Sequence, residues 1–277
     1  MSDIEINRYS PIGVFDSGVG GLTVMREIMR QIPNERIIYF GDTARVPYGS
    51  KSKETIIRYA SQITRFLKTK NVKAIVIACN TASALALDAI KPGLDIPIIG
   101  VIRPGAKVAA ASTKNGKIGV IATESTIESN LYTEVIRSHN PKAQVLGKAC
   151  PLFVPLVEEG WLKDPVTIEV ANRYLEPLLS SGIDTLIMGC THYPLLRSTL
   201  RQIMGDRVTL VNPAYETALE LKNMLEEKGI ANDGSEGPAA YAHEYYVSDA
   251  ANKFKRFANS ILPYGVENTQ LVRIEEY

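Results

Sequence analysis

Short apolar runs alternate along this chain with amphipathic stretches of helical length, and this alternation constrains the fold more than any other feature. The early runs, such as Ile12–Phe15 and Ala74–Ala78, are continuous apolar blocks rather than alternating patterns. Strands of this kind are buried on both faces, as in parallel sheets that helices cover. The sequence therefore predicts an α/β fold with mostly parallel sheets.

The same reading gives bounds for the individual elements. The predicted strands are Ile12–Phe15, Arg36–Phe40, Ala74–Ala78, Pro97–Ile102, Lys117–Ile121, Gln144–Leu146, Thr185–Met188, Val208–Val211, Tyr245–Ser248 and Gln270–Ile274. The predicted helices are Gly21–Gln31, Lys53–Lys68, Ala82–Ile90, Ser125–Ser138, Pro165–Ser180, Pro194–Met204, Tyr215–Glu227 and Ala251–Ile261. The polar segment Asn232–Pro238 contains Gly and Pro and is predicted to be a loop.

An internal repeat suggests how these elements are grouped. Three pairs of segments occur in the same order in both parts of the chain: Ile12–Ser17 with Ile118–Thr123, Val46-Pro47 with Val154-Pro155, and Ala74–Ala82 with Thr185–Tyr193. They predict two similar α/β halves, although parallel strands also resemble one another through composition alone. Ligands of open α/β sheets bind beyond the carboxyl ends of the strands, so the residues at those ends are candidates for a site.

Length, charge and cysteine count exclude several functions. The chain has 277 residues, enough for one large or two medium domains, and its net charge of +1 argues against a nucleic-acid or anionic-membrane binder. No apolar run reaches the ~18–20 residues of a membrane helix, and the N-terminus does not resemble a signal peptide. Three cysteines and three histidines without CxxC predict neither a disulfide framework nor a zinc site, and a cytoplasmic location is expected.

Two cysteines stand at equivalent positions of the repeat. Cys79 and Cys190 each follow the third strand of a half and precede a predicted helix start. The positive end of a helix dipole lowers the pKa of a cysteine, so both thiols are predicted to ionise near neutral pH. A single buried cysteine usually only packs, but the matching positions favour a functional interpretation. Cys150 has no counterpart and is interpreted as packing.

Other polar residues follow the same strand ends. Asp16 ends the first strand before a glycine-rich turn that lacks the spacing of a nucleotide-binding loop, and it either caps the next helix or acts in the site. His192 lies two residues from Cys190 and could serve as a general acid or base. The repeat predicts that Tyr48-Gly49 and the region of Glu158 flank one site.

Two thiols that face each other suit redox chemistry or proton transfer at a carbon atom held between them. In the second case one thiolate removes a proton and the opposite thiol returns one, which inverts a stereocentre without a cofactor. Two alternatives remain open at this point: a hydrolase with Cys190 as nucleophile and His192 and Glu158 as its partners, and a non-catalytic amino-acid-binding module.

Five segments that span nearly the whole chain resemble the cofactor-independent glutamate racemases of the aspartate/glutamate racemase superfamily. They are FDSGVGG (15–21), DTARVPYG (42–49), ACNTAS (78–83), PLFVPLVEEG (151–160) and GCTHYP (189–194). The resemblance implies two α/β domains related by a pseudo-twofold axis, with the active site in the cleft between them. It also implies a discontinuous first domain, residues 1–98 plus 210–277, and a second domain of residues 99–209.

The resemblance further implies interconversion of L- and D-glutamate that supplies D-glutamate for peptidoglycan synthesis. Cys79 would act on the D-enantiomer with help from Asp16, and Cys190 on the L-enantiomer with help from His192 and Glu158. The implied substrate contacts are Asp16, Ser17, Pro47, Tyr48, Gly49, Asn80, Thr81, Thr191 and His192. No metal and no cofactor are expected, and a cytoplasmic homodimer is implied.

Overall fold

Two parallel sheets form the framework of the protein, which a computed structural model describes over residues 6–235 and 243–277. The strands are β1 (Ile12–Asp16), β2 (Ile37–Gly41), β3 (Ala74–Ile77), β4 (Ile98–Gly100), β5 (Lys117–Ala122), β6 (Gln144–Ala149), β7 (Thr185–Gly189), β8 (Thr209–Val211), β9 (Glu244–Val247) and β10 (Gln270–Leu271). The α-helices are α1 (Leu22–Gln31), α2 (Lys53–Lys68), α3 (Asn80–Leu85), α4 (Leu87–Ile90), α5 (Ile102–Ser112), α6 (Glu124–Glu128), α7 (Leu131–His139), α8 (Phe153–Glu158), α9 (Pro165–Ser180), α10 (Arg197–Met204), α11 (Pro213–Glu227) and α12 (Ala251–Ile261). Single 3₁₀ turns lie at Tyr48–Ser50, Lys91–Gly93, Tyr193–Leu196 and Ile274–Glu276.

The two sheets repeat one strand order. The first sheet runs β10-β9-β2-β1-β3-β4 and the second runs β6-β5-β7-β8, so β2-β1-β3-β4 corresponds to β6-β5-β7-β8. The register agrees as well, because Ile12 lies opposite Ala74 and Ile118 lies opposite Thr185. The sequence repeat aligns Ile12 with Ile118 and Ala74 with Thr185, so equivalent pairs of residues lie opposite each other in the two sheets. The predicted fold of two similar α/β halves is confirmed.

The continuous apolar strands are buried on both faces. Every residue of β1, β2 and β3 is buried. Within β1, Ile12 and Val14 pack into one hydrophobic cluster and Phe15 packs into another on the opposite face. Side chains of a strand alternate between its two faces, so a sheet that is covered on both sides needs apolar residues at every position.

Several predicted bounds are wrong where one element follows another without a polar break. The predicted strand Pro97–Ile102 is only β4, because Ile102 already begins α5, a helix the sequence analysis missed. Proline in the first turn of α5 is compatible with a helix, since the amide it lacks would have no helical partner there. The helix α8 was also missed.

Predicted helices also begin elsewhere or are interrupted. The helix predicted at Ala82–Ile90 begins at Asn80 and breaks at Ala86 into α3 and α4. The helix predicted at Ser125–Ser138 breaks at Asn130, whose φ of 57° lies in the left-handed region that a helix cannot contain.

The predicted domain boundaries stay a prediction. The cut between residues 98 and 99 falls inside β4, which belongs to the first sheet, and the cut between 209 and 210 falls inside β8, which belongs to the second. Of the predicted loop Asn232–Pro238, residues 236–238 lie outside the described residues.

A buried ion pair lies in the first half, at the end of the sheet away from the cleft. The Nζ atom of Lys73 lies 2.6 Å from the carboxylate of Glu35 and donates to the carbonyl oxygens of Arg8 and Ile230. The Lys73 side chain is fully buried, and Glu35 also accepts from the Asn232 amide at 2.8 Å. The pair therefore joins the segments that enter β1 and leave α11.

Replacing Lys73 with methionine is expected to cost about 3–5 kcal/mol of unfolding free energy, because the Glu35 carboxylate would stay buried without its partner. Urea denaturation measures this cost. Lys68→Met is the matched control: the exposed Lys68–Asp95 pair should contribute less than about 1 kcal/mol. Equal effects of the two substitutions would contradict the structural role of Lys73.

Candidate active site

A cavity of about 210 Å³ opens between the two halves at the carboxyl ends of the strands. The first half contributes Ser17, Gly18, Val46, Pro47, Tyr48, Gly49, Cys79, Asn80 and Thr81 to its lining, and the second contributes Thr123, Val154, Pro155, Glu158, Cys190, Thr191 and His192. The structure thus brings together every predicted site residue except Asp16, which lies behind this lining. The volume is small and suits a ligand of amino-acid size.

Cys79 occupies the N-cap of α3. Its Sγ atom accepts a hydrogen bond from the Ala82 amide at 3.5 Å, and the side chain is buried. Burial and the negative charge of Asp16 raise the pKa of Cys79 to about 12, although hydrogen bonds from Ala82 and Ser17 favour the thiolate. The prediction of a lowered pKa is wrong for this thiol, because desolvation outweighs the dipole of a short helix.

Asp16 is a buried carboxylate at the end of β1. Its Oδ2 atom accepts from the Gly18 amide at 2.9 Å, whereas its Oδ1 atom has no hydrogen-bond partner in the structure. Burial raises the pKa of Asp16, and His192 and the neighbouring backbone amides oppose this shift. A Cβ atom on Gly21 would lie 2.4 Å from the Asp16 side chain, so this turn requires glycine. Asp16 is placed to act through its neighbours.

On the opposite side, three residues form what we call the Cys190 relay: Cys190, His192 and Glu158. His192 Nδ1 lies 3.9 Å from Cys190 Sγ, and His192 Nε2 lies 3.3 Å from Glu158 Oε1. The other oxygen of Glu158 accepts from Lys253 Nζ at 2.9 Å. The predicted helix start after Cys190 is wrong: a 3₁₀ turn begins at Tyr193, and the α-helix begins at Arg197.

Charges alternate along the Cys190 relay. Burial lowers the pKa of His192, but Cys190, Glu158 and Asp16 together raise it to about 10. The hydrogen bond from His192, with that from Lys253, lowers the pKa of Glu158 to about 2 against the effect of burial. His192 is therefore a cation between the carboxylate of Glu158 and the sulfur of Cys190.

Cross-half hydrogen bonds fix the lining of the cavity. Tyr132 donates to Asn80 Oδ1 at 2.7 Å. The hydroxyls of Thr81 and Thr126 each lie 2.9 Å from that of Thr123. Thr123 and Thr126 were not predicted from the sequence, although the repeat contained a signal: Thr123 occupies the position of Ser17 in the second half.

Tyr48 is held from behind by a second buried carboxylate. Its hydroxyl donates to Asp42, which also accepts from Arg45 Nε at 2.7 Å and from Ser248 Oγ at 2.8 Å. The adjacent Gly49 passes so close to Thr123 that a Cβ atom there would lie 2.7 Å from it. Tyr48-Gly49 and Glu158 line the same cavity, as the repeat predicts.

Within residues 6–235 and 243–277, no three His, Cys, Asp or Glu side chains are grouped so that they could hold a metal ion. The helices of this part of the chain are each too short or too polar to span a bilayer. The expectation that catalysis needs no cofactor stays a prediction.

Comparison with known proteins identifies relatives across the whole chain. The sequence profile of the Asp/Glu/Hydantoin racemase family matches residues 12–219. A glutamate racemase of Geobacter metallireducens is 49% identical over 254 residues, which cover 92% of this chain and 93% of that protein. One of Neisseria meningitidis is 47% identical over 98% of this chain and 99% of its own length.

Solved structures give the same result. A glutamate racemase isoform of Bacillus anthracis matches with a TM-score of 0.91 and 42% identity, covering 96% of this chain and 98% of that one. The glutamate racemase of Francisella tularensis in complex with D-glutamate matches with a TM-score of 0.89 and 38% identity, covering 98% and 100%.

The relatives that share this sequence and fold thus identify the chain as a racemase, an enzyme of the isomerase class. More narrowly, the chain belongs to the Asp/Glu/Hydantoin racemase family. The resemblance drawn from the five sequence segments is confirmed.

Proposed function

We propose that this racemase interconverts L- and D-glutamate without a cofactor: one of Cys79 and Cys190 removes the α-proton, and the other delivers a different proton to the opposite face of the α-carbon. The observation that carries the proposal is that thiols from two different halves line one cavity of amino-acid size. The extensive similarity to proteins named glutamate racemase supports glutamate as the substrate.

In the proposed reaction, the Cys190 thiolate removes the α-proton of L-glutamate and the Cys79 thiol delivers a proton to the opposite face, giving D-glutamate. The reverse reaction exchanges the roles of the two sulfurs. Hydroxyl and amide groups of Asn80, Thr81 and Thr191 would bind the carboxylates and amine of glutamate. Fixed dipoles of this kind also stabilise the negative charge that develops as the α-proton leaves.

The electrostatics on the two sides of the cavity support this division of roles. The raised pKa of Cys79 favours a protonated thiol, whereas the cationic His192 places a positive charge 3.9 Å from the Cys190 sulfur, which is proposed to act as the base. This combination of a base and an acid is the one needed to convert L-glutamate. Asp16, whose pKa is raised, can hold a proton beside Cys79 when that sulfur becomes the thiolate.

Proton NMR in deuterium oxide tests the proposal. Purified enzyme and L-glutamate, without added cofactor, should give D-glutamate that carries deuterium at the α-carbon, and the optical rotation should decay to zero. Addition of EDTA and hydroxylamine, which would remove a metal or trap a pyridoxal group, should leave the rate unchanged. Binding of glutamate without α-deuteration, or release of a hydrolysis product, would contradict racemisation.

We further propose that the D-glutamate formed supplies peptidoglycan synthesis, and that the enzyme works in the cytoplasm as a homodimer. The absence of a described helix that could span a membrane is compatible with this location. Light scattering during size-exclusion chromatography tests the dimer, for which a mass of twice 30.4 kDa is expected.

A further inference from the structure

Helix α12 is anchored in the first half of the chain. Phe254 and Ala258 are buried in the same hydrophobic cluster as residues of β1 and β2, and the ring of Phe254 lies 5.7 Å from that of Tyr39 and 6.2 Å from that of Tyr245. The core of the first sheet therefore sets the position of this helix.

A neighbouring face of α12 contacts the Cys190 relay, which belongs to the second half. Lys253 Nζ donates to Glu158 Oε2 at 2.9 Å, and the ring of Phe257 lies 6.4 Å from the imidazole of His192. Residues four apart lie on the same side of a helix, so both contacts come from one surface of α12. The relay thus has neighbours from both halves of the chain.

Lys253 contacts the Glu158 end of the Cys190 relay. A second cavity, of about 580 Å³, lies there and is lined by Glu158, Lys253 and Arg256 among other residues. The Glu158 side chain is 24% exposed, so without Lys253 its free oxygen could turn into this cavity, where Arg256 offers another positive partner. The imidazole of His192 would then lose the acceptor that orients it.

We propose that Lys253 is a positioning residue for racemisation, which holds Glu158 against His192 and so supports only the Cys190 side of the reaction. The inference rests on the proposed two-thiol function. A merely structural role is a weak alternative, because Lys253 is 58% exposed and an exposed ion pair contributes little to stability.

The test compares Lys253→Met with Lys253→Arg, which keeps the charge and the donors. Lys253→Met is expected to lower kcat/KM about tenfold, less than the ~10²-fold that a misplacement of one ångström can cost, with the loss mainly in kcat. Lys253→Arg should stay within about threefold of the wild type. Lys255→Met is the control: it removes a charge from the same helix, where Lys255 donates to the Glu267 carbonyl at 3.0 Å, and it should leave kcat/KM unchanged.

Isotope effects separate positioning from a general loss of structure. Weakening only the Cys190 side makes proton removal from L-glutamate more rate-limiting, so α-deuterated L-glutamate should show a larger isotope effect in Lys253→Met than in the wild type. The isotope effect with α-deuterated D-glutamate should not rise. A partly unfolded enzyme would lose activity without changing either isotope effect.

The inference is overturned if Lys253→Met keeps wild-type kcat/KM, if both isotope effects stay unchanged, or if Lys253→Arg is as impaired as Lys253→Met. A parallel measurement on Cys190→Ser distinguishes this failure from failure of the proposed function. If Cys190→Ser loses activity and shows the unequal isotope effects but Lys253→Met does not, only the role of Lys253 is wrong. If Cys190→Ser itself racemises glutamate at the wild-type rate, the two-thiol function is wrong.

Discussion

Replacing Cys79 or Cys190 with serine is expected to lower kcat/KM for glutamate racemisation by about 10³-fold, because a hydroxyl replaces the group that exchanges the α-proton. The loss must be equal in both directions. L- and D-glutamate have the same free energy in water, so the equilibrium constant is one and fixes the ratio of the two kcat/KM values. Polarimetry from each pure enantiomer measures the effect.

The two variants should nevertheless be distinguishable by isotope effects. In Cys190→Ser, transfer at the altered position becomes rate-limiting, so α-deuterated L-glutamate should react with a larger isotope effect. With α-deuterated D-glutamate, the labelled atom moves in the fast step at Cys79, so the isotope effect should fall toward one. Cys79→Ser should give the reverse pattern. The same isotope effect for both enantiomers in either variant would contradict the assignment of one thiol to each face.

Cys150→Ser is the matched control for these variants. Cys150 is fully buried against the second sheet, and its Sγ atom donates to the Lys148 carbonyl oxygen at 3.5 Å. The change is therefore expected to lower stability slightly and to leave kcat/KM near the wild-type value.

Replacing Asp16 with asparagine is expected to lower kcat/KM by about 10²-fold, because Cys79 loses its neighbouring proton acceptor. The same change should raise the free energy of unfolding by about 1 kcal/mol at neutral pH. It removes a buried charge whose Oδ1 atom has no partner. Activity and stability should thus move in opposite directions, which a simple folding defect cannot produce.

The pH dependence of the stability gained in Asp16→Asn follows from the raised pKa of Asp16 in the wild type. The folded state binds a proton at this carboxyl more tightly than the unfolded state, so wild-type stability falls as pH rises through the folded pKa. The stability advantage of Asp16→Asn should therefore be larger at about pH 7 than at about pH 4, which is close to the ordinary carboxyl pKa of 3.8. Urea denaturation at both pH values measures it, and a constant difference would contradict the buried-charge explanation.

Asp184→Asn is a control with the opposite expected pattern, in which stability changes and activity does not. The Asp184 carboxylate accepts from the Thr113 hydroxyl at 2.6 Å and from the Lys114 and Asn115 amides at 2.7 Å each, outside the cleft. Burial favours the neutral form, but these hydrogen bonds outweigh it and lower the pKa of Asp184. The substitution should destabilise the protein and leave racemisation unchanged.

The sequence predicted the fold and most residues that line the candidate site, because both depend on local order along the chain. The apolar strands locate the carboxyl ends, and the polar residues that follow them, from Ser17 to His192, meet in one cavity. The repeat matched even the register of β1 and β5 with their neighbours. The positions of these residues can be predicted from the sequence because each residue directly follows a strand that the apolar pattern identifies.

Features that depend on tertiary contacts could not be predicted in this way. The pKa of Cys79 depends on how deeply its sulfur is buried and on Asp16, which precedes it by more than sixty residues. Lys253 reaches Glu158 from a different half, and its position on α12 has no local signature. The helix α5 was missed because no polar residue separates it from β4.

The two halves share a strand order but belong to one polypeptide, so they can carry different residues at equivalent positions. A symmetric pair of identical subunits could not do this. Two identical subunits around a twofold axis would present the same groups to both sides of a ligand. Here Asp16 in the first half corresponds to Ala122 in the second, and Thr81 corresponds to His192. Covalent fusion of the two units allows each sulfur to be tuned independently, while mirror-image ligands still meet comparable surroundings.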